Sequence, residues 1–105
     1  MATLDMYPFP HNQAAGRVID GEAVIILSES NQVNVFNPVG SRVWELADGT
    51  RTLGEIVTMI ATEYEAPQDR VQADVLAFVD MLVAEQVLQL SAVEVRDPSA
   101  VSPPA

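Results

Sequence analysis

The spacing of apolar residues along this chain changes from a period of two to a helical period near residue 37. Before that point, three short β-rich runs are separated by turn-forming residues: 17–20, 23–27 and 32–36. In the third run, Val33 and Val35 face one side. The other side carries Gln32, Asn34 and Phe36, an alternation typical of a half-buried strand. Three strands with short links predict an antiparallel meander.

Three helices are predicted after residue 37. Asn37 suits an N-cap and Pro38 a first helical position, while Thr52 and Glu55 have the spacing of a capping box. The second helix carries an apolar stripe at helical spacing: Leu53, Ile56, Val57, Ile60, Ala61 and Tyr64. The third helix is predicted from about Asp69 to Glu85, with a core line: Val71, Val75, Phe78, Val79 and Leu82.

The two ends of the chain lack sustained periodicity. Residues 1–16 are punctuated by proline and predict an irregular arm, strand-like only near Met6–Phe9. Residues 91–105 form a Pro/Ser/Ala-rich segment with little to bury, which predicts a disordered tail. The sequence therefore predicts one α+β domain over 17–90, winged-helix-like, with a three-stranded antiparallel sheet followed by three helices.

The charge of the chain argues against nucleic-acid binding. There are 15 acidic and 5 basic residues, and the formal net charge is -10. Affinity for phosphates depends mainly on clustered Lys and Arg. The basic residues here are scattered singly: Arg17, Arg42, Arg51, Arg70 and Arg96. The first two predicted helices, with the turn between them, resemble a helix–turn–helix unit over residues 37–57. On this chain we expect that unit to bind something other than DNA or RNA.

Residue types that support catalysis are scarce. The chain has one histidine, His11, and no cysteine, so thiol chemistry and soft metal sites lack ligands. No phosphate-cradling glycine loop is present, and we expect neither enzymatic activity nor a cofactor. The N-terminus lacks a secretory pattern, and the longest apolar run, Ala23–Leu27, is too short to span a membrane. A cytoplasmic protein without a membrane partner is the expectation.

A binding groove is predicted between the third strand and the third helix. Run 32–36 ends the meander and contains neither Lys nor Pro, the usual guards of an open edge. Leu76 and Val83 widen the apolar surface of the third helix on one flank, so strand and helix together would accept an extended peptide. If the helix has the opposite orientation, Asp74 and Met81 replace them. In the alternative interpretation, the N-terminal arm covers the edge and Leu76 and Val83 pack on the tail.

Two stretches of this chain, FNPVGSRVWELADGTRTLGEIV and VQADVLAFVDMLVAEQVL, resemble the PqqD-like family, and the similarity extends over roughly residues 17–90. The resemblance implies a RiPP recognition element that binds the leader of a ribosomally made precursor peptide. It also implies presentation to a modifying enzyme, often a radical-SAM protein, as in pyrroloquinoline quinone biosynthesis. The peptide-binding positions so implied are the backbone of Gln32–Phe36 and one side of the third helix, including Val75, Leu76, Val79, Asp80 and Val83.

A second hypothesis comes from a different functional class. An acidic winged-helix scaffold or regulator would bind a protein partner through its helices. An unguarded strand edge also permits strand exchange into a dimer, although the monomer is favoured.

Overall fold

The computed structural model describes residues 2–95, which form two small sheets and three helices. In chain order the elements are β1 (Tyr7–Pro10), β2 (Ala14–Ile19), β3 (Glu22–Leu27), β4 (Gln32–Val35), α1 (Pro38–Leu46), α2 (Leu53–Glu63), α3 (Gln68–Ala84) and β5 (Leu88–Ser91). The α+β class, with an antiparallel three-stranded meander followed by three helices, is confirmed.

The meander has the strand order β2-β3-β4, and both strand pairs are antiparallel. Asp20 and Gly21 join β2 to β3 with φ angles of 52° and 79°, the left-handed pair that a two-residue hairpin turn requires. One face of β3 is buried against the helices, since Ala23 and Ile25 are fully buried and Leu27 is 2% exposed. The meander is therefore held to the rest of the domain by its central strand.

α1 and α2 begin where the sequence places caps. The Asn37 side chain accepts a hydrogen bond from the Gly40 N–H at 2.7 Å, and Thr52 and Glu55 form a complete capping box. α3 differs, because Pro67 precedes it and no side chain caps it. The helical stripes meet in the core, whose fully buried members include Ile56, Ile60, Val79 and Leu82.

The N-terminal segment differs from the irregular arm expected over residues 1–16. β1 pairs with β5 in a separate antiparallel sheet, from Tyr7↔Ser91 to Pro10↔Leu88. β2 also begins at Ala14, three residues before the expected boundary. β1 coincides with the strand-like stretch expected near Met6–Phe9. The local sequence does not indicate its partner, because that strand lies about 80 residues away in the chain and Pro8 and Pro10 interrupt any alternation.

The expected tail also needs correction in its first residues. Ser91 belongs to β5, and Val95 is only 5% exposed. The Val95 N–H donates to the Gly49 carbonyl at 2.7 Å, while the Gly49 N–H donates to the Pro8 carbonyl at 2.8 Å. Gly49 has a φ of 87°, and a Cβ there would lie 2.6 Å from the Val95 carbonyl oxygen. This segment is docked; the remainder of the expected disordered tail, 96–105, lies outside the described residues.

Candidate peptide-binding groove

Among residues 2–95, one edge of β4 is paired with β3 and no strand pairs with the other edge, which we call the open edge. The Phe36 N–H donates to the Ala23 carbonyl of β3 at 2.9 Å. Since backbone groups alternate in direction along a strand, Asn34, which pairs with Ile25, also points its N–H and C=O toward β3. Val33 and Val35 consequently direct their N–H and C=O groups to the open edge. These two residues are the hydrogen-bonding positions available to an added strand.

A buried hydroxyl fixes β4 against the first helix. Ser41 is 1% exposed, and its Oγ accepts from the Ala23 N–H at 2.6 Å and donates to the Phe36 carbonyl at 3.2 Å. The hydroxyl thereby satisfies both backbone groups where the β3–β4 ladder ends. This places the last residues of β4 in one fixed position relative to α1.

The surface beside the open edge is a groove between β4 and α3 with a volume of about 280 Å³. The Phe78 ring packs edge-on against Phe36, with centroids 5.2 Å apart and planes at 81°. Met81 is 49% exposed, so its side chain is available to a ligand. Six residues form most of the groove wall: Asn34, Val35, Phe78, Met81, Leu82 and Glu85.

The side chains of β4 alternate as the sequence predicts. Val33 and Val35 are 61% and 60% exposed, while Phe36 is 8% exposed and Asn34 lies between these extremes. Gln32 is exposed at the start of the strand. The valine side chains therefore lie on the outer face of the sheet, and Asn34 and Phe36 lie on the other face.

The structure corrects the expected side of α3. Asp80 accepts a hydrogen bond from the Ala2 N–H at 2.5 Å, so its flank faces the N-terminal residues. Leu76 and Val83 share that flank by helical spacing and are half-buried against the core. The flank that faces β4 carries Phe78 and Met81. Leu76, Asp80 and Val83 thus lie away from the β4 groove.

Two further residues expected at the site belong to the core. Val79 is fully buried and Val75 is 2% exposed, so neither offers its side chain to the β4 groove. Phe78 and Glu85 are groove residues that sequence reasoning did not assign to the site. The helical period places Phe78 at the border of the core stripe, but periodicity alone cannot decide which flank of α3 faces β4.

The electrostatic contacts found among residues 2–95 position the helices. Arg42 donates to both carboxylate oxygens of Glu63, with a shortest distance of 2.7 Å, and connects α1 to α2. This hydrogen bond lowers the pKa of Glu63 and raises that of Arg42. Partial burial raises the pKa of Asp48, but hydrogen bonds from Thr50 and the positive charge of Arg51 together leave that pKa below its ordinary value.

The described part of the chain contains no cluster of three or more His, Asp or Glu side chains that could hold a metal ion. None of the three helices in residues 2–95 is long and apolar enough to cross a membrane.

Comparison with known proteins identifies the family. Residues 22–88 match the family of coenzyme PQQ synthesis protein D (PqqD). The "PqqA binding protein" of Gluconobacter oxydans (strain 621H) is 32% identical over 65 residues, which cover 62% of this chain and 68% of that protein. The solved structure "TbiB1 in Complex with the TbiA(beta) Leader Peptide" superposes with a TM-score of 0.72 at 26% identity, covering 77% of this chain and 94% of that one. The chain belongs to the PqqD family.

Proposed function

We propose that this chain is a non-catalytic domain that binds the leader of a ribosomally made precursor peptide and presents it to a modifying enzyme. The observation that carries the proposal is the open edge of β4 beside the exposed apolar side chain of Met81. The names of the two relatives support it, since one binds PqqA and the other was solved with a leader peptide.

In this proposal, the leader binds by strand addition. The leader would pair with the outward N–H and C=O groups of Val33 and Val35 and extend the meander to four strands. Alternate leader side chains would then enter the groove and contact Phe78 and Met81. Backbone pairing supplies register, and the apolar contacts supply selectivity.

The acidic character of the chain bears on the leader that it selects. With a net charge of -10 and Glu85 in the groove wall, a leader with basic residues near the groove is favoured. Binding should weaken moderately as salt is added, because exposed charges are screened.

The scarcity of catalytic residue types supports a binding role and leaves the reaction to the partner enzyme. We place this complex in the cytoplasm, with the domain acting as a monomer.

Amide chemical-shift mapping tests the proposal. The ¹⁵N-labelled protein is titrated with synthetic TbiA(β) leader, with PqqA, and with the leader of a precursor encoded beside its own gene. We expect at least one peptide to shift the amides of Val33, Val35 and Met81. Shifts confined to α1 and α2, or no shifts with any of the three peptides, would contradict the proposal.

A matched pair of variants on α3 tests which flank binds. Met81→Glu introduces a charge into the groove, whereas Ala73→Glu introduces the same charge at an exposed position on the Asp80 flank, outside the groove. We expect Met81→Glu to weaken leader binding about tenfold, as a charge against an apolar contact costs about 1–3 kcal/mol. Ala73→Glu should leave affinity nearly unchanged. Equal losses in both variants would reject the β4-facing flank.

A further inference from the structure

A second pocket continues the groove beyond the end of β4. It has a volume of about 300 Å³, lies between α1 and α3, and shares Asn37 and Phe78 with the β4 groove. Its walls are mainly apolar and are formed by Val39, Gly40, Val43, Val75 and Phe78, with Asn37 and Asp74 as the polar lining residues. The pocket and the β4 groove therefore form one continuous surface along α3.

Gly40 lines this pocket with backbone atoms only, because it has no side chain. Its φ is not in the left-handed region, so the backbone alone does not require glycine there. Alanine would stabilise a helix better than glycine at an interior position. A Cβ at residue 40 would, however, lie 3.0 Å from Phe78 Cζ and 3.2 Å from Asn37 Oδ1. The absent side chain thus leaves room for Phe78 to stand at the junction of the two cavities.

The pocket carries a negative charge, Asp74, that has no ion-pair partner among residues 2–95. Asp74 is exposed, and within residues 2–95 its carboxylate makes no salt bridge or side-chain hydrogen bond. Arg70 lies one helical turn earlier and does not pair with it. An apolar cavity with a free carboxylate suits a ligand that offers an apolar side chain and a cationic group close together. An apolar cavity of about 150 Å³ holds benzene, so an aromatic or large aliphatic side chain fits here.

We infer that this α1–α3 pocket is an anchor subsite for the leader segment that precedes the strand paired with β4, and that it selects an apolar residue beside a Lys or Arg. The inference rests on the proposed function. Each strand pair found in residues 2–95 is antiparallel, so we take the leader to add antiparallel. Its residues on the amino-terminal side then pass the carboxyl end of β4, where Asn37 and the pocket begin.

The spacing between the two parts of the ligand follows from chain geometry. The pocket begins two residues after Val35, the last outward-facing residue of β4. At about 3.3 Å per extended residue, the anchor should lie within about three residues of the leader position opposite Val35. The recognition signal would therefore be a short apolar–basic pair followed by an alternating strand segment.

Selection from random peptides tests the inference for a leader of any sequence. A display library of random 14-residue peptides is selected on the wild-type protein and, as a counter-selection, on Val35→Pro. We expect peptides specific for the wild type to share an apolar–basic pair on the amino-terminal side of an alternating segment. Enriched peptides that depend on Val35 but lack this pair would overturn the inference and leave the proposed function standing. Failure to enrich any peptide that depends on Val35 would count against both.

A double-mutant cycle on the best peptide, measured by fluorescence anisotropy, then locates the anchor. Val39→Phe fills the pocket mouth, and we expect it to weaken binding about tenfold, as for the loss of one buried apolar side chain. Replacing the anchor of the peptide by Ala should cause a similar loss in the wild type but almost none in Val39→Phe. Additive losses would overturn the inference. Gly40→Ala serves as a second filling variant if Val39→Phe fails to fold.

A third experiment tests the ion pair between Asp74 and the basic residue of the peptide. Asp74→Asn should weaken binding about two- to fivefold at low salt, because an exposed ion pair contributes little more than that. Replacement of the basic residue of the peptide by Gln should remove the difference. Asp69→Asn, an exposed acid on the same helix outside the pocket, is the matched control. Equal effects of Asp74→Asn and Asp69→Asn would show a general charge effect and reject this contact.

Discussion

Proline substitutions at neighbouring positions of β4 would separate peptide binding from folding. Val35 directs its N–H to the open edge, whereas the N–H of Asn34 points toward Ile25 of β3. Val35→Pro removes a donor that only an added strand would use, and an edge strand tolerates proline there. Asn34→Pro removes a donor from inside the sheet and leaves the Ile25 carbonyl without its partner.

We expect Val35→Pro to affect mainly leader affinity and Asn34→Pro to affect mainly the free energy of unfolding. For Val35→Pro, we expect the free energy of unfolding to change by less than about 1 kcal/mol. Leader affinity should fall about tenfold, because one hydrogen bond of about 0.5–1.5 kcal/mol is lost and the ring occupies the edge. For Asn34→Pro, the lost hydrogen bond and the unsatisfied carbonyl should together destabilise the fold by about 2–4 kcal/mol.

Two assays read these effects independently. Urea unfolding followed by circular dichroism gives the free energy of unfolding, and fluorescence anisotropy with a labelled leader gives affinity. Val35→Thr is the matched control, because it keeps the N–H while changing the exposed side chain. If Asn34→Pro weakened binding without loss of stability while Val35→Pro destabilised the fold, the assigned direction of the β4 backbone groups would be wrong.

Three further predictions concern stability. Ile56 is fully buried, so Ile56→Ala should lower the free energy of unfolding by about 2–5 kcal/mol in urea titrations; a smaller loss would show that the core closes around the gap. Val95→Ala should cost about 1–2 kcal/mol if the segment that contacts Gly49 is docked as described, and an unchanged unfolding midpoint would contradict that. Arg42 lowers the pKa of Glu63, so their pair should stabilise the fold above the ordinary glutamate pKa of 4.5 and lose that effect as pH falls through the lowered pKa. In melting curves across this range, Glu63→Gln should show less loss of stability on acidification than the wild type, and identical profiles would reject the assignment.

Sequence reasoning succeeded where the determining interactions are local. The Asp20-Gly21 turn and the Thr52–Glu55 capping box depend on residues within four positions of each other, and both occur as predicted. The alternation in β4 likewise follows from the period of the strand, but the period does not decide which face is buried; the structure buries Phe36 and exposes Val35. The open edge of β4 was also predicted, because a sequential meander leaves its last strand unpaired on one side.

Features that depend on distant contacts needed the tertiary structure. β1 exists because β5 pairs with it across about 80 residues, and no local pattern in a proline-interrupted segment reports that partner. Val95 is buried only because the fold brings the positive-φ turn at Gly49 beside it.

The groove depends partly on the sequence and partly on tertiary packing. The sequence by itself determined that α3 has apolar residues on both borders of its core stripe, since that follows from the helical period. Which border faces the peptide edge depends on the rotation of α3 about its axis relative to β4. That rotation is set by the packing of Val79 and Leu82 in the core and by the contact between Phe36 and Phe78. Tertiary packing therefore placed Met81 in the groove and Leu76 outside it, because a period specifies positions around a helix axis but not the neighbour that each position meets.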